Sequence, residues 1–212
     1  MQTITLETFL NNQDFYISEA KAGKIFIYPT DTIYGIWAVY TEANKDKIFQ
    51  IKHRDTKKMF SIIAPSFERI TENYTLPTLC HSEWNEEYNK KLNTDPSLRL
   101  PAGRQGSGWH NTNIDIDQLK TYLNTYHGVT YIFSYTTPGV RIIKHPIQDF
   151  VQSLGEPFIT TSCNIAWEPP LQNLKDISSD LKSQVDYIID GWILGGRPSV
   201  LIDLVANKII ER

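Results

Sequence analysis

The stretch Ile25-Phe26-Ile27-Tyr28-Pro29-Thr30-Asp31-Thr32-Ile33-Tyr34-Gly35 starts with four apolar residues, meets a proline and turns polar at once. Ile25–Tyr28 predicts a buried strand ended by Pro29. Two threonine hydroxyls, a carboxylate and a tyrosine then follow where a strand meets a loop, and strand ends in α/β sheets are where ligands sit. A strand followed by a plain Asx-type turn accounts for the same residues.

Outward from this stretch, strand and helix signals alternate. Asp14–Ala22 predicts a helix stopped by Gly23, and Ala43–Arg54 a helix with Ile48 and Ile51 on its inner face. Ser61–Ala64 predicts a second buried strand closed by Pro65, and Ser66–Asn73 a helix with Ser66 as N-cap. Further on come a helix over Asp117–Asn124, strands over Val129–Tyr135 and Val140–Ile143, and a helix over Pro146–Leu154. The last has proline in its first turn and Gly155 at its stop, a strong helix signature. A strand over Phe158–Thr161, a helix over Leu174–Ser183 and a strand over Tyr187–Ile189 follow. Strands over Ser199–Val205 and Lys208–Glu211, joined at Ala206-Asn207, end the chain. This alternation predicts an α/β protein with a central sheet.

The length of 212 residues fits one domain, 1–212, and the 41% hydrophobic and 12% aromatic content is globular. From Cys80 to Asn113 apolar residues thin out, and LPAGRQGSGWH has no periodicity, so 80–113 reads as a polar inserted excursion. The net charge of −3 argues against a protein held to nucleic acid by bulk charge, while leaving room for a local basic site. Cys80 and Cys163 make no disulfide framework and show no metal-ligand spacing, so a reducing cytoplasm is expected. The five histidines form no HxxxH or HxH pair, which argues against a structural zinc site. No apolar run is long enough to span a membrane, and MQTITLETFLNNQ lacks the basic start and apolar core of a signal peptide.

Three further stretches carry chemistry. Between Lys45 and Lys58, Lys45, Lys47, Lys52, Arg54, Lys57 and Lys58 face only Asp46 and Asp55. Cations favour a helix C-terminus, which accounts for one or two of them. A triphosphate accounts for the whole set, because Arg and Lys clamp phosphoryl oxygens and stabilise transition-state charge. Thr160-Thr161-Ser162-Cys163-Asn164 puts short polar side chains at a strand end, with Cys163 read as a buried packing residue for want of a placed base. Gly195-Gly196-Arg197-Pro198-Ser199 lets backbone N–H groups approach an anion, yet does not match a Walker A loop.

The order of these motifs is more specific than any one of them. YPTDTIYG, KHRDTKK, GVRIIKHP, FITTSCN, EPP and GGRPSVLID, in that sequence, resemble the YrdC-like family of threonylcarbamoyl-AMP synthases, over about Asp14 to Arg212 without the excursion. The resemblance implies a twisted mixed β-sheet flanked by helices, with a concave basic groove. It also implies a nucleotidyltransferase, an L-threonylcarbamoyladenylate synthase using L-threonine, bicarbonate or CO2, and ATP with Mg²⁺. The product would pass to the transferase machinery that makes threonylcarbamoyladenosine in tRNA. By resemblance, Lys52 and Arg54 are the catalytic cations, and Arg54, Lys58, Thr137, Ser162, Asn164, Pro170 and Arg212 contact ATP. Thr32, Arg141, Thr160 and Ser199 form the threonine pocket, Arg141 being suited to a carboxylate. Three departures lie near the pocket: Trp37 replaces the usual glycine, Thr125–Thr130 replaces a Trp-Pro-Gly-Pro-x-Thr stretch, and Ala166-Trp167 replaces Ser-Gly. The alternative is a non-catalytic YrdC-like module that binds nucleotide, tRNA or double-stranded RNA through a basic face, with steep salt dependence.

Overall fold

The computed structural model describes residues 1–56, 60–66, 68–70, 128–143, 145–166, 168–191, 194, 198–203 and 208–210. The 80–113 excursion and the helix expected over Asp117–Asn124 lie outside these residues, as do 67 and 71–73 of the helix expected over Ser66–Asn73, Cys80, Lys57, Lys58, Gly195–Arg197, Thr125–His127, Trp167 and Arg212. Of the helix expected over Ser66–Asn73, 68–70 is helical and the Ser66 hydroxyl oxygen accepts from Arg69 N at 3.4 Å.

Among the described residues, ten strands form one mixed sheet: β1 (Gln2–Thr5), β2 (Phe26–Pro29), β3 (Tyr34–Val39), β4 (Ser61–Ile63), β5 (Val129–Ile132), β6 (Gly139–Arg141), β7 (Phe158–Ser162), β8 (Tyr187–Asp190), β9 (Val200–Asp203) and β10 (Lys208–Ile210). Their order across the sheet is β1-β8-β2-β3-β7-β4-β6-β5-β9-β10. Helices α1 (Leu6–Asn11), α2 (Gln13–Lys21) and α4 (Pro146–Leu154) supply side chains to the core on one face. Helices α3 (Glu42–Lys52) and α5 (Ser179–Ser183) supply the core on the other.

The helix α4 has the bounds its sequence signals predict, with Pro146 in the first turn and Gly155 in the left-handed conformation at φ 75°. One expected element is corrected. The segment from Leu174 to Ser183 is a 3-10 turn, Leu174–Asp176, followed by the separate helix α5. Between them Ile177 is extended and buries its side chain, and the Ser178 hydroxyl caps Leu181 N–H at 3.2 Å. A serine that serves the backbone in this way starts a helix and does not continue one.

Register explains where a cleft opens. Residues opposite each other on paired strands share a face. One row runs Phe26, Trp37, Thr160, Ser61, Gly139, and the next runs Tyr28, Gly35, Ser162. In each row large rings give way to small side chains. The rings pack with Phe9, Phe150 and Phe158 under α1, α2 and α4. The small residues leave the same face hollow. Trp37 marks the change, fully buried between Tyr28 and Phe158.

Gly35 is required by that tryptophan. A Cβ there would stand 2.2 Å from Trp37 Nε1 and 3.1 Å from the Thr161 carbonyl oxygen. Gly35→Ala should therefore destabilise the fold by about 1–3 kcal/mol, the usual cost of forcing an extra carbon into a filled site. Chemical denaturation measures this, and an alanine variant as stable as the parent would contradict the packing.

Candidate functional site

The β2–β3 turn is built on Thr30 rather than on an Asx turn at Asp31. The Thr30 hydroxyl oxygen accepts from Thr32 N at 3.0 Å and Ile33 N at 3.1 Å, and the backbone closes through Thr30 N to Ile33 O at 3.2 Å. This leaves the Asp31 carboxylate to reach across the sheet. Its Oδ1 accepts from Arg141 Nη2 at 2.7 Å, and its Oδ2 from Gly128 N at 3.2 Å. Arg141 is 4% exposed. Burial pulls its guanidinium below the usual arginine range, and the Asp31 charge opposes that pull.

A cleft of about 400 Å³ opens over the hollow face. Its lining includes Thr30, Thr32, Gly35, Ser61, Arg141, Thr160, Ser162 and Ser199, together with Arg54, Phe60, Thr161 and Pro170. The cleft thus gathers from six separate stretches of chain the four residues assigned to threonine by resemblance, Thr32, Arg141, Thr160 and Ser199, and three of those assigned to ATP, Arg54, Ser162 and Pro170. Ser199 shares a hydrogen bond of 3.0 Å with Thr130, a buried pair that fixes its direction.

Arg54 is aimed by the end of α3. His53 takes the left-handed conformation at φ 49°, and Arg54 N closes the last turn on Phe49 O at 3.1 Å. The guanidinium then lies over the Phe60 ring, 5.2 Å from its centroid, with Nη1 3.4 Å from the Thr161 hydroxyl. Phe60 is itself stacked on Phe49. An aromatic face beneath a guanidinium holds its plane.

Lys52 is placed differently from the cation its sequence neighbourhood suggests. Its amine does not line the cleft. It is buried and donates to the Ser162 carbonyl, to the Asn164 carbonyl at 2.7 Å and to Asn164 Oδ1 at 2.9 Å. These contacts use its three N–H groups and tie the loop after β7 to α3. Asn164 is likewise engaged in the loop, its Oδ1 also accepting from the Ser162 hydroxyl at 2.6 Å, and it does not line the cleft. Thr137 sits in the β5–β6 connection with its hydroxyl buried and lies outside the cleft lining. Lys58 and Arg212 are beyond the described residues. Cys163 is buried on the opposite face, and burial pushes its thiol up to about 12, which favours the protonated thiol at neutral pH. Among the described residues no group of three His, Cys, Asp or Glu side chains could hold a metal ion, and no helix is long and apolar enough to cross a membrane.

Asp31, Ser61 and Phe60 belong to the site without having been singled out. Asp31 lies inside the quoted loop, so its residue type was visible. Its direction was not. Ser61 opens a strand whose start was legible, and only the register with Thr160 brings it to the cleft.

Burial pulls the Lys52 amine down to about 8. In the unfolded chain the same group holds its proton to about 10.4. Between these values the unfolded state binds more protons, so this group makes stability rise with pH there. Compared with Lys52→Met, the parent should gain on the order of 1–3 kcal/mol from pH 8 to about 10.4. A flat difference between the two denaturation curves over that window would show that the amine is not held as described.

A family model described as telomere recombination, Sua5_yciO_yrdC, matches residues 18–93 and 132–212. The chain is 21% identical over 210 residues to a threonylcarbamoyl-AMP synthase of Vibrio campbellii, covering 96% of this chain and all of that protein. Its fold is similar to that of E. coli YciO, with a TM-score of 0.63 at 18% identity, covering 95% of this chain and 88% of the other. It is also similar to P. abyssi Sua5 in a crystal structure complexed with L-threonine, with a TM-score of 0.58 at 20% identity and 92% of this chain covered. The chain spans about half the length of that protein, 51%. With the mixed sheet, the order of motifs and a family match over most of its length, this chain belongs to the Sua5/YciO/YrdC family.

Proposed function

We propose that the cleft is the active site of an L-threonylcarbamoyladenylate synthase, which forms threonylcarbamoyl-AMP and pyrophosphate from L-threonine, bicarbonate or CO2, and ATP. The observation that supports it is that one cleft holds two distinct polar sets. Arg141 with the hydroxyls of Thr32, Thr160 and Ser199 suits a small hydroxy amino acid, and Arg54 with Ser162 and Thr161 suits phosphate. Near-full-length similarity to a protein named threonylcarbamoyl-AMP synthase supports the same reading.

In this reading the threonine nitrogen attacks the carbon of CO2, which bicarbonate supplies on losing hydroxide. A C–N bond forms, the nitrogen gives up its proton to solvent, and a carbamate results. A carbamate oxygen then attacks the α-phosphorus of ATP, and the bond from that phosphorus to the bridging oxygen of pyrophosphate breaks. Neither step needs a covalent enzyme nucleophile. Positioning and charge neutralisation are enough, and the divalent ion enters as part of the ATP complex. The mixed anhydride would be consumed by a tRNA-modifying transferase.

Pyrophosphate release should require L-threonine, bicarbonate and Mg²⁺ together, and Cys163→Ser should retain most of it. Arg54→Ala should weaken ATP binding by roughly 1.5–3 kcal/mol, the scale of a charged hydrogen bond, with a much smaller change for threonine. Release at equal rates without threonine would refute the synthase. A module that only binds nucleotide or double-stranded RNA would give no threonine-dependent pyrophosphate.

A further inference from the structure

The ion pair at the back of the cleft is divided in an unusual way. Arginine and a carboxylate commonly meet by two parallel bonds, which covers one whole edge of the guanidinium. Here Asp31 gives Arg141 one oxygen, at 2.7 Å from Nη2, and gives the other to the backbone N–H of Gly128 at 3.2 Å. The Arg141 Nε is buried and meets no hydrogen-bond partner among the described residues, although Arg141 lines the cleft. A buried charged donor without an acceptor is costly, so this edge makes physical sense when a ligand takes it up.

Asp31 is itself fixed from both sides. The Thr30-centred turn sets its backbone. Gly128, at φ 66°, brings its N–H to the carboxylate from a conformation that side-chain-bearing residues adopt with strain. A Cβ there would also touch Thr32 Cγ2 at 3.4 Å. The carboxylate therefore has little freedom to swing round and take a second guanidinium N–H.

We propose that Asp31 is the positioning residue of this cleft: it holds the Arg141 guanidinium by one Nη group and leaves the Nε edge for the carboxylate of the amino-acid substrate. This rests on the reading of the cleft as an amino-acid site.

The test is calorimetric titration of the full chain with L-threonine and with L-threonine amide, which lacks the carboxylate, for the parent, Asp31→Ala and Asp31→Asn. The parent should bind threonine about tenfold or more tighter than the amide, the scale of one charged hydrogen bond. Asp31→Ala should weaken threonine about tenfold while leaving the amide within about twofold, so that the preference collapses. Asp31→Asn, which keeps an acceptor for Arg141, should recover part of it and carries the test if the alanine variant does not fold. Equal losses for both ligands would mean a merely structural role and would overturn the proposal, as would unchanged or tighter threonine binding in Asp31→Ala. A parent that binds both ligands alike, or neither, would overturn the amino-acid reading of the cleft and the proposal with it.

Discussion

On one face of the sheet, side-chain volume falls from aromatic to hydroxyl within single cross-strand rows, and the rest of the molecule is arranged around that gradient. At the bulky end Phe26, Tyr28, Trp37 and Phe158 interlock with Phe9 and Phe150. Each fully buried ring contributes roughly 1.5–3 kcal/mol from area alone. At the slender end Gly35, Ser61, Gly139, Thr160 and Ser162 stand on strands held rigid by the same sheet. The hollow persists because the strands beneath it cannot move inward without disturbing the aromatic end. A ligand site made this way has its hydroxyls oriented before anything binds.

The buried cations serve different ends. Lys52 donates to three oxygen atoms of its own chain among the described residues and acts as a rivet between α3 and the loop after β7. Arg54, two residues later, has turned past the left-handed His53 and lies on an aromatic ring at the cleft wall. Sequence proximity grouped them, while the helix end separates them. Burial disfavours the charged form of Lys52, Arg54 and Arg141 alike. For the two arginines an anionic ligand would relieve that cost. For the lysine the carbonyls already share it.

Legibility in the sequence followed the local signals. The helix α4 could be read because proline and glycine mark its two ends, and β2 because Pro29 stops an apolar run. The strand β3 was missed. All six of its residues are buried, so no alternation betrays it, and Gly35 looks like punctuation until Trp37 is seen to need it. The strand and helix of the first eleven residues also went unread, being short and mostly exposed. At the site, the hydroxyls and arginines were legible only through the order of motifs. What a side chain points at is set by strand register and helix ends, which is why Asp31 stayed hidden and Lys52 was expected in the cleft.

The bond from Gly128 N to Asp31 has a bearing on how this chain tolerates change. Gly128 is the residue at which the long connection from β4 re-enters the sheet as β5. Its backbone is pinned there by a side chain of the β2–β3 turn, and Val200 N holds its carbonyl at 2.8 Å from the other side. The chain is thus pinned one residue before β5 begins, by partners outside the connection. Lengthening a connection costs only slowly increasing closure entropy. A change in the length of that connection would therefore meet a fixed entry point, and Thr130 with its partner Ser199 would keep their places in the sheet.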